Sequence, residues 1–444
     1  MIKKQIFLGF LILGMAIITP LISYGAENDV IEVEETENLA SEQVNEDVEL
    51  DENITANDLD ISGQNILPSN PFYFLKSGWR GFQSAFTFNP VKKAELKLRF
   101  ADERLIEAKK MAESLDVERA SQFVEKAIEK YEKETQRVKE HIENFKDIDK
   151  EKAEKFIERF TDHQIKQQKL IDRIENKLIE KGVAPEKIEA IIEHKERAME
   201  HFANGVLKVV NPEVLKEKLE KAIEEGRGSQ FKHFKNLEIL KNLEERVPEE
   251  AREAIKKAQE NAKKRLHNVL GESEETRERF KDFIEDTGGD RLHKFKVLEE
   301  LDADNFDFNI KRVLNEAREN TLDKVSNRIE NIKDENIKEK FFKRLENINI
   351  KDLNIIDKLE RRLPEEANER LRKAKEKAIE NRNTIKERLE NSVNMGTDAI
   401  NNIKDRKLEI KDNIRARTDG VAIPGATRDG INDKGIFNQV EKRK

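Results

Sequence analysis

Seven histidines, His141, His163, His194, His201, His233, His267 and His293, stand in a 444-residue chain without cysteine. A metal centre would need several of them on one helix face or on facing helices. His194 and His201, beside Glu193 and Glu200, lie seven apart on one predicted helix. Two turns put them roughly 10 Å apart, whereas each ligand of a single ion stands about 2 Å from it. No H-E-x-x-H occurs, and no histidine has a Glu three residues before it, so the Glu-x-x-His pairs of a bundle di-iron site are absent. His163 with Gln167 reads instead as a polar layer that fixes register in a helical seam. Lack of cysteine removes thiolate metal sites, disulfides and thiol chemistry. Gly288-Gly289 reads as a turn, since no Gly-Lys-Ser/Thr follows to make a phosphate loop. There is no G-x-S-x-G nucleophile elbow, and the carboxylates are too many for an acid–base pair to stand out. No catalytic, metal or cofactor residue is assigned, and the expectation is a protein that is not an enzyme.

The elements that would position such groups are read from composition and period. Charged residues make up 40% of the chain and hydrophobic residues 36%, against about 25% charged in an average globular protein. With only 9 Pro and 18 Gly, this composition suits long helices that each bury a narrow stripe. The fold class expected is all-α: a helical hairpin or bundle, then an array of helix-pair repeats, with a disordered N-terminal spacer and C-terminal tail. The net charge of −8 is unevenly placed. Residues 27–60 hold 14 acidic residues and no Lys or Arg, which leaves the remainder close to balance. Interleaved signs argue against a nucleic-acid partner, which needs a basic face.

In chain order, Lys3 and Lys4 precede an uncharged apolar run, Ile6 to Ile22, and small residues follow. Residues 1–25 read as a secretory signal cleaved near Gly25 or Ala26; the alternative is an uncleaved N-terminal anchor. Residues 26–65 read as an acidic disordered spacer. A helical bundle domain is expected over 66–207. Its first helix starts at Ser69-Asn70-Pro71 and carries the only tryptophan. Phe72, Leu75, Trp79, Phe82 and Phe86 fall on one face, with Tyr73 beside them. These six residues are the candidate packing or interaction anchors, and Trp79 is expected to anchor the core. Gly78 and Gly81 would permit close approach of a backbone or of the indole. A small-residue stripe, Ala94, Leu98, Ala101, Leu105, Ala108 and Ala112, on helix 90–115 would close on that aromatic face and on the next long helix. Further helices are expected at 117–147, 149–181 and 185–207.

Residues 208–391 repeat. LEERVPEEAREAIKKA, 243–258, matches LERRLPEEANERLRKA, 359–374, at ten of sixteen positions. The unit is a short helix, a Pro-Glu-Glu turn and a long helix. A weaker copy lies between, at 295–301 followed by Ile310 to Ile329. Residues 392–444 read as a fraying helix and a disordered tail.

Leu67-Pro68-Ser69-Asn70-Pro71-Phe72-Tyr73-Phe74-Leu75-Lys76, then Trp79, Thr87-Phe88-Asn89-Pro90, Lys93-Ala94-Glu95-Leu96, Arg104-Leu105 and Glu107-Ala108 resemble a bacterial extracytoplasmic family of unknown function. Its members open on L-P-x-S-P-x-Y-x-L-K and continue through T-x-x-P and A-E-L-x-L-x-x-A-E-x-R-L-x-E-A. Asn70 stands where that family has Ser, and Asp102 where it has Glu. The resemblance covers residues 66 to about 205 and implies a helical fold and an envelope location, with no catalytic residues. Some members adjoin anti-sigma-factor modules.

The reading that follows is an exported, non-enzymatic helical protein of the bacterial cell envelope, a protein-interaction or scaffolding module. Its expected partner is a protein, with the membrane surface as a further contact. An extracytoplasmic signalling or stress-sensing module is the alternative, and a metal carrier or enzyme the weakest reading.

Overall fold

The computed structural model describes residues 39–61, 67–145, 148, 150–302, 306–346, 353–381 and 383–384. Every regular element among them is helical. The acidic stretch supplies α1 (Leu39–Glu52) and a one-turn helix at Asn57–Leu59. Then come α2 (Tyr73–Ala85), α3 (Pro90–Ser114), α4 (Val117–Ile142), α5 (Lys150–Glu180) and α6 (Pro185–Val206). Their starts follow from local chemistry. The Asn89 side chain accepts from Lys92 N at 3.1 Å, with Pro90 in the first turn, and Asp116 accepts from Arg119 N at 3.0 Å. Gly182, at φ +77°, closes α5 in the left-handed conformation that glycine adopts at least cost.

Of the two partners expected for the small-residue stripe of α3, it meets the next long helix, α4, and not the aromatic helix. Ala101, Leu105, Ala108 and Ala112 pack with Ala120, Val124, Ala127 and Ile128, where short side chains let two backbones approach. The polar layer expected at His163 and Gln167 forms across three helices. His163 Nδ1 lies 2.9 Å from the Asp102 carboxylate, Gln167 donates to the same group at 2.7 Å, and Tyr131 donates to Gln167 at 3.1 Å. All four residues are buried.

Past α6 the described residues form three units of three helices. These are α7 (Pro212–Glu225), α8 (Lys232–Glu244) and α9 (Glu249–Glu272); α10 (Glu274–Asp286), α11 (Arg291–Asp302) and α12 (Phe308–Asn331); and α13 (Glu335–Glu346), α14 (Leu353–Glu360) and α15, residues 365–381. The period is about 60 residues, half the spacing at which the sequence match is strong. The weak middle copy is thus a full unit. Phe295, Leu298 and Leu301 are buried like Leu237, Leu240 and Leu243. It lacks Pro-Glu-Glu because Asp307 starts α12 instead, accepting from Asn309 N at 2.9 Å and Ile310 N at 3.0 Å.

Two boundaries change. The break expected between 207 and 208 is not a break in packing, since Phe156, Phe160 and Phe202 share one core with Leu215, Leu219 and Leu240. The acidic spacer expected over 26–65 is structured across 39–61. Val44, Val48, Ile54, Leu59 and Ile61 are buried. Self-repulsion does not extend α1, because its acids meet basic groups of the body. Asp47 pairs with Arg279 at 2.6 Å, Glu52 with Lys235 at 3.1 Å, and Glu49 with Arg173. The signal segment and the tail from 392 lie outside the described residues.

Candidate functional site

Helix α2 turns its polar side inward and its apolar side outward. Tyr73, Lys76 and Arg80 recur at i, i+3 and i+7, which puts them on one face. That face rests on α3, where Glu103 and Glu107 stand one turn apart. Tyr73 Oη donates to Glu107 at 2.7 Å, Lys76 Nζ at 2.6 Å and Arg80 Nη2 at 2.8 Å. Arg104, from α3 itself, adds a fourth contact at 3.1 Å. Arg80 Nε reaches Glu103 at 2.8 Å, and Arg99 donates to Gln83 at 3.0 Å. Glu107 is fully buried, so these charge-assisted bonds operate away from water. Lys130 of α4 stands 5.9 Å over the Tyr73 ring.

The opposite face is open. Of the six anchors read from the sequence, only Tyr73 is buried. Phe72, Leu75, Trp79, Phe82 and Phe86 are between 54% and 64% exposed. Trp79 is therefore not the core anchor expected of it, for the inward face of α2 is taken up by ion pairs. The rings touch one another instead: Trp79 and Phe82 stack at 5.6 Å between centroids, and Phe82 meets Phe86 at 4.4 Å. Phe74 and Phe88 are also exposed. At 150–250 Å² per aromatic side chain, this ridge presents on the order of 700 Å² of apolar surface. The largest patch of an ordinary monomer is about 300–600 Å². Gly78 and Gly81 were expected to admit a close neighbour, but a Cβ on either would touch nothing within 4 Å.

The titratable residues gather elsewhere and pair with one another. His194 Nδ1 lies 2.6 Å from Glu132, and His201 reaches the same carboxylate at 3.8 Å. Glu196, Asp290 and His293 bring one donor atom each within 4.8 Å, a trio that could in principle hold a metal ion. Arg344 already lies against it, 3.1 Å from Glu196, in contact with Asp290, and 2.6 Å from Glu189. A fixed guanidinium supplies the positive charge that the acids require, so the arrangement works as an ion-pair cluster.

That cluster sets a pH dependence. Burial opposes charge on His293, but Glu245 at 3.1 Å and Asp290 at 2.6 Å outweigh it and hold the imidazole above its ordinary value. Burial likewise opposes charge on Asp290 and Glu245, yet Arg344 holds Asp290 and Lys296 holds Glu245 well below the usual carboxylate range. A raised histidine contributes stability that is complete below its unfolded value of about 6.5 and is lost as pH rises through the folded one. The depressed carboxylates contribute above about pH 4 and lose their share as pH falls further. Glu245 is partly exposed, and screening reduces its share. Urea midpoints measured from pH 5 to 9 should therefore fall on the alkaline side. His293→Gln should flatten that limb; an unchanged slope would mean that His293 is not its source.

Sequence reasoning missed the hub of the buried charge. Lys235 is fully buried, 2.8 Å from Asp172 and 3.1 Å from both Glu52 and Glu238, and donates to the Gly288 carbonyl at 2.9 Å. Lys195 also pairs with Asp172. Gly288-Gly289 lies in the short connection between α10 and α11, with a bend at Gly289 where φ is +109°, and a Cβ on Gly288 would fall 1.9 Å from the Asp172 carbonyl oxygen. Lys294 donates to Ile284 O at 2.8 Å and Thr287 O at 2.9 Å, and burial pushes its ammonium down to about 7. Lys235 follows Phe234, Lys294 precedes Phe295 and Lys195 stands between His194 and Glu196, and none of these settings distinguishes a buried lysine from a solvated one.

A family model described as a domain of unknown function (DUF5667) matches residues 65–407. It takes in both the aromatic helix and the three-helix units. No curated protein matches the chain. One similar solved structure comes from work on the computational design of self-assembling cyclic protein homooligomers. It is 12% identical, covers 76% of this chain and 99% of that one, and has a TM-score of 0.27. Another is a circular tandem repeat protein with novel repeat topology and enhanced subunit contact surfaces. It is 15% identical, covers 69% and 74% of the two chains, and has a TM-score of 0.19. Scores this low carry no argument about function.

Proposed function

We propose that this chain, which belongs to the DUF5667 family, is a non-enzymatic docking module: a helical scaffold that holds one aromatic helix face outward for a partner. The observation that carries the reading is the inversion of α2. Ion pairs fix Tyr73, Lys76 and Arg80 against α3, while Phe72, Leu75, Trp79, Phe82 and Phe86 face water. Covering apolar surface is favourable by about 25 cal/mol per Å², so an uncovered ridge of this size favours association. The proposed site of action is extracytoplasmic. Lys3, Lys4, the run Ile6 to Ile22 and the small residues up to Ala26 support export, with a retained anchor as the variant form. Among the described residues no helix is long and apolar enough to cross a membrane.

Trp79 is the only tryptophan and reports on its own face. In the purified protein it should be readily modified by a water-soluble, tryptophan-selective reagent. In intact cells it should be protected. Trp79→Ala should change unfolding stability by no more than about 0.5 kcal/mol, as an exposed position does. Equal modification in cells and in the purified protein would sink the docking reading, and a loss of several kcal/mol would place Trp79 in the core after all.

A further inference from the structure

We infer that the occupant of the aromatic face is the surface of an anionic phospholipid bilayer, with α2 lying in the plane of the interface. The inference rests on the docking reading and names its partner. The first argument is the chemistry of the face. Phe72, Leu75, Trp79, Phe82 and Phe86 offer one hydrogen-bonding group, the indole N–H, and otherwise hydrocarbon and ring surface. Helices that lie in a membrane interface have this composition, with an apolar side carrying Trp, Phe and Leu and a polar side carrying Lys and Arg. Trp favours the interface, where its ring is buried and its N–H stays wet.

The second argument is charge. From Ile61 to Ala94 there is no Asp or Glu, in a chain where 92 of 444 residues are acidic. The same stretch holds Lys76, Arg80, Lys92 and Lys93. Lys92 is exposed in the first turn of α3, four residues after Phe88, and Lys130 is exposed beside the inward-facing Tyr73. Glu103 and Glu107, the carboxylates that α2 rests on, are turned to its inward side and neutralised there by Lys76 and Arg80, which leaves Lys92 and Lys93 as the basic groups of this stretch not taken up in that contact. The outer side therefore presents hydrocarbon flanked by positive charge, complementary to anionic headgroups. A two-fold dimer through the same face would bring like charges together, because each copy contributes the same lysines.

The third argument is mechanical. A helix held by three bonds to one buried carboxylate is ordered before it meets the surface. Binding then does not have to supply the cost of folding the helix, which limits most short interfacial peptides.

The test uses the full chain and vesicles of two compositions, phosphatidylcholine alone and phosphatidylcholine with phosphatidylglycerol. With anionic vesicles the Trp79 emission should move to shorter wavelength and the protein should co-sediment. Partitioning onto neutral vesicles should be at least about tenfold weaker, and salt should reduce the difference. Phe82→Asp with Phe86→Asp should abolish sedimentation without loss of helical signal. Lys92→Glu with Lys93→Glu should weaken binding to anionic vesicles roughly twentyfold and leave neutral vesicles unaffected. Acidic residues suit the first turn of α3, so this variant should fold.

Failure to bind vesicles, with Trp79 still protected in cells, would overturn the lipid assignment and leave a protein as the partner. Failure of both would overturn the docking reading as well. A concentration-dependent blue shift without lipid would assign the face to a second copy. A Trp79 already shielded in the dilute, purified monomer would assign it to the chain's own undescribed termini. Either outcome would overturn the lipid assignment.

Discussion

Lys235→Ala should destabilise the protein by about 3–5 kcal/mol, the range for breaking a buried charge network by removing one partner. The side chain is fully buried and bridges four parts of the chain: α1 through Glu52, α5 through Asp172, α8 through Glu238, and the connection before α11 through the Gly288 carbonyl. Burial alone would lower its affinity for a proton, yet Asp172, Glu238 and Glu52 hold it well above the ordinary lysine value. Its removal leaves three buried carboxylates, one of which, Asp172, keeps Lys195. Glu52 is the most exposed to the loss. Burial already pushes its carboxyl up to about 7, and its contact with Lys235, at 3.1 Å, is a charge pairing without good hydrogen-bond alignment. A raised acid favours the folded state most at low pH and loses that contribution as pH rises from about 4.5 to about 7. The damage from Lys235→Ala should therefore be larger at pH 8 than at pH 5, and Glu52→Gln added to it should return part of the lost stability. Urea titrations of the two variants at both pH values decide this. Equal losses at pH 5 and pH 8 would show that Lys235 acts by packing and not by charge.

The α1 helix shows where sequence reading fell short. Val44, Asp47, Val48 and Asp51 stand at i, i+3, i+4 and i+7, a helical stripe visible in the letters. Net charge argued more loudly, because 14 acids without a base look like a repelling coil. That argument counts only charges close in sequence. Arg279 and Ser229, which meet Asp47 and Asp51, are some two hundred positions away. Asp51 accepts from Ser229 N at 2.7 Å and from Ser229 Oγ at 2.9 Å, and no local pattern announces such a contact. Helix starts, by contrast, were legible at Pro90, Val117 and Pro185, since a cap or a first-turn proline is decided within four residues. The three-helix period was only half legible. Asp307 does for α12 what Pro-Glu-Glu does for its neighbours, with different residues. The ridge itself was read correctly as one helical face, and its direction was read wrongly. Period gives the face and not the side on which the body lies. The missing clue was a second stripe, Tyr73, Lys76 and Arg80, with a matching acidic pair, Glu103 and Glu107, one helix later.

That pairing leads to the strongest single lever on the proposed function. Glu107→Leu should release α2 from the body while leaving the other helices folded. The carboxylate is fully buried and receives four donors, Tyr73, Lys76, Arg80 and Arg104. Leucine has similar bulk and no charge, so Tyr73, Lys76 and Arg80 would lose their shared acceptor, while Arg80 keeps Glu103 and Arg104 keeps the attraction of Glu134. The local cost is about 3–5 kcal/mol; the bonds that remain, Arg80 with Glu103 and Arg99 with Gln83, are only partly buried, and the apolar face of α2 is not part of the core clusters. Release frees the helix to unfold, since 13 residues with two internal glycines do not sustain a helix in water. Amide exchange across residues 73–85 should become fast, while exchange in α4 and α5 stays slow. Limited proteolysis should cut near Lys76 and Arg80. Vesicle binding should weaken although every aromatic residue is still present, because the cost of ordering α2 returns to the binding step. Unchanged protection of α2 in Glu107→Leu would mean that its position depends on something other than this carboxylate. Lost protection with undiminished vesicle binding would show that the lipid surface can fold the helix for itself.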